Sequence, residues 1–389
     1  MSEIDNSPNL TNIKEKASNF MKKALDLASN KSKMIQIISW TIVIILIISI
    51  FSYISLEIAK KDSYPKMMKQ MLEQYKPTIS SFSNNDFNFS YNLRDYYVKS
   101  SYNSCCAGDF KNDYVSIKAL KQVIGQGVRF LDFAIYTLDE KPIIAASSQD
   151  SIYYKETYNS IDFDEVIKTI SNMAFSNSLT PTANDPLILN FRIYSDHKNT
   201  YDNMAETINK YLGNKLLPQK HGKENQGHNI GNLSLSYLSN KVLIFTNKPQ
   251  NDSFETSELY NIVNACSSTP NLQILNNFDV IYAPNYNEII SFNKKKMTIS
   301  IPDLSYSPKN IPASIHQKYG IQFICINYQT NDNNLKYYEK FFNDAGYAFV
   351  LKPKHLRFIP TKVKVPKKQD PSLSFAPRQY KKDYFQIDI

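Results

Sequence analysis

The chain has 389 residues, 42% hydrophobic and 13% aromatic, enough for one large domain or two small ones. Forty-five Lys and Arg against 36 Asp and Glu give a net charge of +9, which suits an anionic membrane surface or nucleic acid. No RNP, zinc-finger or Gly-rich phosphate motif accompanies that charge, so a membrane is preferred. The four cysteines, Cys105, Cys106, Cys266 and Cys325, form no C-x-x-C pair, which argues against a zinc site. The adjacent Cys105 and Cys106 read as small apolar fillers at a strand end rather than a redox pair.

In chain order, residues 1–34 form a polar and basic N-terminal segment. Ile13, Ala17, Phe20, Met21, Ala24 and Leu25 recur at helical spacing, with Lys14, Lys16, Lys22 and Lys23 between them. That pattern fits an amphipathic helix on a membrane surface or a plain solvated one beside it. Residues 35–56 (Ile35–Leu56) hold 22 uncharged residues, long enough as a helix to cross a hydrocarbon core of about 30 Å. A buried soluble helix is rarely apolar on every side for so long. Lysines flank it on both sides (Lys31 and Lys33; Lys60 and Lys61), so topology stays open. Residues 57–87 read as a stalk.

From residue 88 to 360, strand-like and helix-like runs alternate, which predicts an α/β domain with a parallel sheet. Around Ser100–Tyr136 the order is strand, helix, strand. The second strand, with Val128, Phe130, Leu131, Phe133 and Ile135, is apolar enough to be buried on both faces. Asp132 sits inside it, and a buried carboxylate needs a partner. Further strands are expected at Lys141–Ser147, Leu187–Tyr194, Lys241–Phe245, Thr298–Ile301, Gly320–Tyr328 and Tyr347–Leu351. Helices are expected at Phe163–Phe175, Tyr201–Leu212, Glu258–Ser267 and Leu335–Ala345, with a loop at Gln219–Asn232. Residues 361–389 read as a basic flexible tail.

Two blocks carry a resemblance. SSYNS followed by GVRFLD resembles the SSHNTY and GCRCVELD of phosphoinositide-specific phospholipase C. GIQFICINYQT and AGYAFVLKPKHLR resemble that family's GCQMVALNYQT and GYVLKP-x-x-LR. The resemblance implies a (β/α)8 TIM-type barrel behind a single transmembrane helix, with the site at the C-terminal ends of the strands. It also implies two histidines as general base and acid, a calcium ion held by Asn and carboxylates, and basic residues gripping ring phosphates.

Position by position, the implied chemistry is missing. The first histidine falls at Tyr102 and the second at Ala146. Asn103 is kept, the family's Glu becomes Asp132, its Asp becomes Ala134, and a calcium carboxylate becomes Arg192. Lysines fall at Phe245 and Asn247, leaving Lys248 as the ligand-binding candidate. Calcium is therefore not expected as a cofactor. Arg192 against Asp132 reads either as a buried ion pair or, as in metal-independent bacterial relatives, as a substitute for calcium. Of the five histidines, His197 lies nearest the mouth in sequence; His221, His228, His316 and His355 read as solvated.

The expected function is a membrane-anchored phospholipase-C-like barrel that binds or scaffolds. The alternative is an active phosphoric diester hydrolase with rearranged acid–base groups. Expected partners are a lipid membrane through Ile35–Leu56 and anionic lipid headgroups, not nucleic acid. Residue usage typical of an AT-rich genome suits a virion-membrane protein of a large DNA virus.

Overall fold

The computed structural model describes residues 9–83, 86–149, 154–249, 251–360, 367–370, 373, 375 and 377–388. Parts of four expected segments therefore lie outside the described residues: 1–8 of the N-terminal segment, 84–85 of the stalk, 150–153 and 250 of the barrel, and 361–366, 371–372, 374, 376 and 389 of the tail.

The strands are β1 (Tyr96–Ser101), β2 (Phe130–Leu138), β3 (Lys141–Ala145), β4 (Ile161–Asp162), β5 (Leu187–Ile193) and β6 (Val242–Asn247). They continue with β7 (Ala265–Ser267), β8 (Leu272–Asn276), β9 (Met297–Ile301), β10 (Phe323–Ile326) and β11 (Phe349–Leu351). Eight of them form one parallel sheet in the order β7-β6-β5-β2-β1-β10-β9-β8. The sheet curls into a nearly closed barrel with its seam between β7 and β8, where a tight connection makes one bridge, Thr269 to Leu272. Two-sided burial explains the unbroken apolar runs: β1 and β5 are buried at every position. Alternation along β2 sends Phe130, Asp132 and Ala134 inward and Leu131, Phe133 and Ile135 outward. Inside, Phe130, Phe245 and Phe323 meet across the lumen at centroid distances of 4.6–6.4 Å and fill it. Outside, Phe133 and Phe191 stack at 5.9 Å beneath Phe163.

The longer helices are α1 (Asn9–Leu72), α2 (Ile117–Gly125), α3 (Phe163–Met173), α4 (Lys198–Leu212), α5 (Tyr286–Lys295) and α6 (Asn333–Ala345). Ser116 caps α2 by accepting from the Lys118 N–H. Asp332 caps α6 at its start, and Gly346 ends it at φ 77°, a left-handed conformation that glycine adopts without strain.

One unbroken helix, α1, covers three segments that the sequence divides into basic helix, span and stalk. Its 64 residues would extend about 96 Å. Its last turns descend beside α2. Asp62 pairs with Lys118, the Pro65 carbonyl accepts from Gln122, and the Leu72 carbonyl accepts from Gln126. Because α2 starts at the C-terminal ends of the strands, α1 runs from the mouth of the barrel down to its base. Residues 35–56 consequently project beyond the mouth.

Several sequence expectations need correction. The strand expected at Lys141–Ser147 forms over Lys141–Ala145 but lies outside the parallel barrel: β3 turns back antiparallel on β2 through Asp139 and Glu140, both at positive φ. Such a two-residue turn usually carries Asn-Gly, so Asp-Glu hid it. Glu258–Ser267 is not one helix. The helix stops at Ile262, and Asn264, accepting from the Ile244 N–H, ties the chain to β6 as β7 begins. β8 and α5 gave no periodic signal strong enough to be read. In the tail, Gln379–Lys382 and Phe385–Asp388 form an exposed antiparallel hairpin.

Candidate functional site at the barrel mouth

The mouth is assembled from the ends of β1, β2 and β5. The parallel register sets Asp132 beside Asn190 and Ala134 beside Arg192. Asn190 and Arg192 are two residues apart on β5, hence on the same inward face as Asp132. The Arg192 guanidinium folds back over the carboxylate. Its Nε lies 3.1 and 3.2 Å from the two Asp132 oxygens and its Nη2 3.0 Å from Oδ2. Nη2 also donates to Asn103 Oδ1 at 2.6 Å, and Nη1 to the Tyr194 hydroxyl at 3.0 Å. Asp132 further accepts from Asn190 Nδ2 at 2.7 Å and from the Asn103 N–H at 3.1 Å. Asn103 reaches this place from φ 41°, which Asn tolerates better than most residues.

Tyr102 lies over the guanidinium, its ring centroid 4.5 Å from Arg192 Cζ, and packs edge-on against Phe110. It is 3% exposed; Asp132 is fully buried and Arg192 is 8% exposed. Burial pushes the Tyr102 phenol far above its ordinary range, and the neighbouring Arg192 charge offsets only part of that. Burial works most strongly against the Arg192 charge, but the Asp132 carboxylate, Tyr102, Tyr194 and the hydrogen bond to Asp132 together hold the guanidinium well above its ordinary value. Cys106 and Cys325 are buried thiols, likewise pushed up by burial, so neither is an activated nucleophile. Ala146 is fully buried, its carbonyl accepting from the backbone N–H groups of Glu156 and Thr157.

Calcium does not fit these residues. It takes about 6–8 oxygens at about 2.3–2.6 Å. Asn103 Oδ1 and both Asp132 oxygens already accept from the guanidinium, which occupies the place a cation would take. Ala134 and Ala146 add no side-chain oxygen.

The remaining candidates do not converge on this centre. Lys248 is engaged with Glu255 at 3.2 Å and Glu224 at 3.6 Å. Phe245 fills the lumen. Asn247 clamps β5, accepting from the Ile193 N–H and donating to its carbonyl. His197 stands on the rim, about 60% exposed, 3.6 Å from Asp196. His228 is exposed near the Gln226 carbonyl, and His355 is exposed.

Two histidines expected to be solvated are buried instead. His221 sits between Asn225 Oδ1 at 2.7 Å and the Tyr237 hydroxyl at 3.2 Å. His316 contacts the Ser300 hydroxyl at 2.8 Å and Asn277 Oδ1 at 3.2 Å, and burial lowers its pKa to about 4 against a weaker pull from Asp303. The unfolded chain therefore takes up a proton near pH 6.5 that the folded one refuses. Stability should fall as pH drops from about 6.5 to 4, by about 3 kcal/mol in all. His316→Gln should flatten that slope; equal denaturant midpoint shifts between pH 7 and 5 for both proteins would refute the assignment.

Asn190 and Tyr194 were missed in the sequence. The signal was present: in LILNFRIY, Asn190, Arg192 and Tyr194 alternate at strand period on one face. Beside Tyr194 a rim cleft of about 290 Å³ is lined by Tyr136, Ile143, Lys155, Ser195 and His197 among others.

Comparison with known proteins agrees with this architecture. PLC21 of L. pealei superposes with a TM-score of 0.56 at 18% identity, covering 69% of this chain and 38% of that one. PLC21 of S. officinalis gives 0.56 at 19% over the same shares. A calcium-dependent phosphoinositol-specific phospholipase C from a Pseudomonas species gives 0.42 at 11%, over 70% and 98%. The chain thus spans well under half the length of the two PLC21 chains. No curated protein matches it by sequence. The barrel is a phospholipase-C-like phosphodiesterase fold. Within it, residues 89–248 match the phosphatidylinositol-specific phospholipase C X domain, so the resemblance to that family holds in sequence and in fold.

Proposed function

We propose that the protein is a non-catalytic, membrane-anchored member of this fold, acting through binding or scaffolding. The observation that carries the reading is the self-satisfied mouth. Asp132, Arg192 and Asn103 consume one another's hydrogen-bonding capacity, while Tyr102 and Ala146 stand where acid–base groups would be needed. Losing one general acid or base typically lowers a rate about 10²–10⁴-fold, and here both are replaced. The full-length protein in detergent should release no soluble inositol phosphate from labelled phosphoinositide vesicles, with or without calcium. Turnover above about 1 s⁻¹ would overturn the reading. A rearranged phosphoric diester hydrolase is the second reading, favoured by the rim cleft that places Lys155 and His197 near Tyr194; His197→Ala abolishing such turnover would establish it.

The anchor is the apolar stretch of α1, with a mean hydropathy of 2.6 over its most apolar window and no buried residue there. Within it the Ser39, Thr41 and Ser49 hydroxyls donate to the carbonyls four residues back, which satisfies them without water. Alkaline carbonate should leave the full chain in the membrane pellet and release a variant lacking Ile35–Leu56. Release of the intact chain would refute the anchor. On composition, the membrane we propose is the envelope or internal membrane of a virion.

A further inference from the structure

The base of the barrel holds a second cleft, about 420 Å³, between residues 90–95 leading into β1 and residues 354–360 following β11. Arg94, Lys354 and Arg357 line it together with Tyr91, Asp95 and Phe358. The Nε atoms of Arg94 and Arg357 are both buried without a hydrogen-bond partner. Among the described residues, Arg94, Lys354 and Arg357 make no ion pair. Three lining cations thus face a single carboxylate, Asp95, whose Oδ1 also lacks a partner. Leaving such groups unpaired in a buried setting is unfavourable, and the cations lining the cleft outnumber its carboxylate.

The walls and floor are built. The Arg357 guanidinium lies 4.5 Å from the Tyr91 ring centroid, and Arg94 5.7 Å from that of Phe358. Lys295 approaches the same Phe358 ring at 5.9 Å, adding a fourth positive charge nearby. Underneath, the Gln322 amide donates to the carbonyls of Arg94, Asn293 and Lys296 at 2.9–3.0 Å. The buried Lys352 ammonium donates to the carbonyls of Asn293 and Gly320 at 3.0 and 2.9 Å. These bonds fix the backbone of Arg94 and of the segments next to it.

We propose that this base cleft binds a phosphate group, held by Arg94 and Arg357 with Lys354 as a third cation. The planar guanidinium fork matches phosphate oxygens two at a time, which a lysine does not. The site is separate from the mouth and does not depend on whether the mouth is catalytic. The apolar stretch of α1 leaves on the opposite side, so lipid of the anchoring bilayer does not reach the base. The phosphate belongs to a soluble phosphorylated molecule or to a headgroup in a second, facing membrane.

The test uses the full chain in zwitterionic nanodiscs, titrated calorimetrically with pyrophosphate at about 50 mM salt, where screening is modest. Saturable binding tighter than about 1 mM is expected, weakened at least about tenfold in Arg94→Gln/Arg357→Gln. Arg94→Lys/Arg357→Lys, which keeps the charge and loses the fork, should fall between. Circular dichroism checks folding; if the glutamine pair unfolds, exposed Lys354→Gln is read instead and should weaken binding about threefold. No saturable binding up to about 10 mM, or equal affinity in the folded variants, would overturn the proposal. A second arm offers vesicles with ~10% phosphatidic acid. Arginine-dependent capture identifies a facing headgroup as the source, and pyrophosphate binding without capture identifies a soluble one.

Discussion

Replacing Arg192 by methionine should lower the unfolding free energy by about 3–5 kcal/mol, the usual consequence of leaving a buried charge without its partner. Asp132 is fully buried, and Arg192 is its sole ion-pair partner among the described residues. After the change the carboxylate would keep only Asn190 and the Asn103 N–H, while Asn103 Oδ1 would lose its donor. The double variant Arg192→Met/Asp132→Leu should recover most of the loss, because two apolar groups of similar size do not need each other. Guanidinium unfolding of the full chain in micelles reads both. A single variant within about 1 kcal/mol of the parent, or a double no better than the single, would show that the pair does not hold the mouth together.

Restoring histidines alone should not restore catalysis. Tyr102→His/Ala146→His supplies an acid and a base by residue type, yet the centre between them remains a guanidinium. Ala146 is also sealed by the Glu156–Thr157 backbone, so a larger side chain there must displace that loop. Converting Arg192→Glu and Ala134→Asp as well is the minimum for a metal site. Even then Phe245 fills the lumen and Asn247 is committed to Ile193, so lysines at those positions would break packing. The expected result for the two-histidine variant is vesicle hydrolysis indistinguishable from no protein. Turnover above about 1 s⁻¹ would mean that the pocket is open and only the histidines were lost.

The barrel was legible because its strands are buried on both faces and its helices are amphipathic, so β2, β5, α3 and α4 announce themselves by pattern alone. Asp132 was legible for the converse reason: a carboxylate inside an apolar run must have a partner. Features fixed by tertiary contact were not legible. β7 is three residues long and exists because β6 offers an edge. His221 looks solvated among glycines and asparagines, but the fold closes Tyr237 and Asn225 around it. The base cleft joins residues more than 250 positions apart, which no local reading brings together.

The descent of α1 beside α2 has a consequence for encounter rates. Only five residues, Glu57–Lys61, separate the apolar stretch from Asp62, where α1 already pairs with Lys118 of the barrel. At 1.5 Å per helical residue that is about 8 Å. With the span embedded as proposed, the rim is held close to the headgroups. Anything it meets there arrives by lateral diffusion in a plane, at an effective concentration set by the tether rather than by bulk supply. Under that constraint, contacts too weak to hold a free protein on a membrane would be occupied almost continuously.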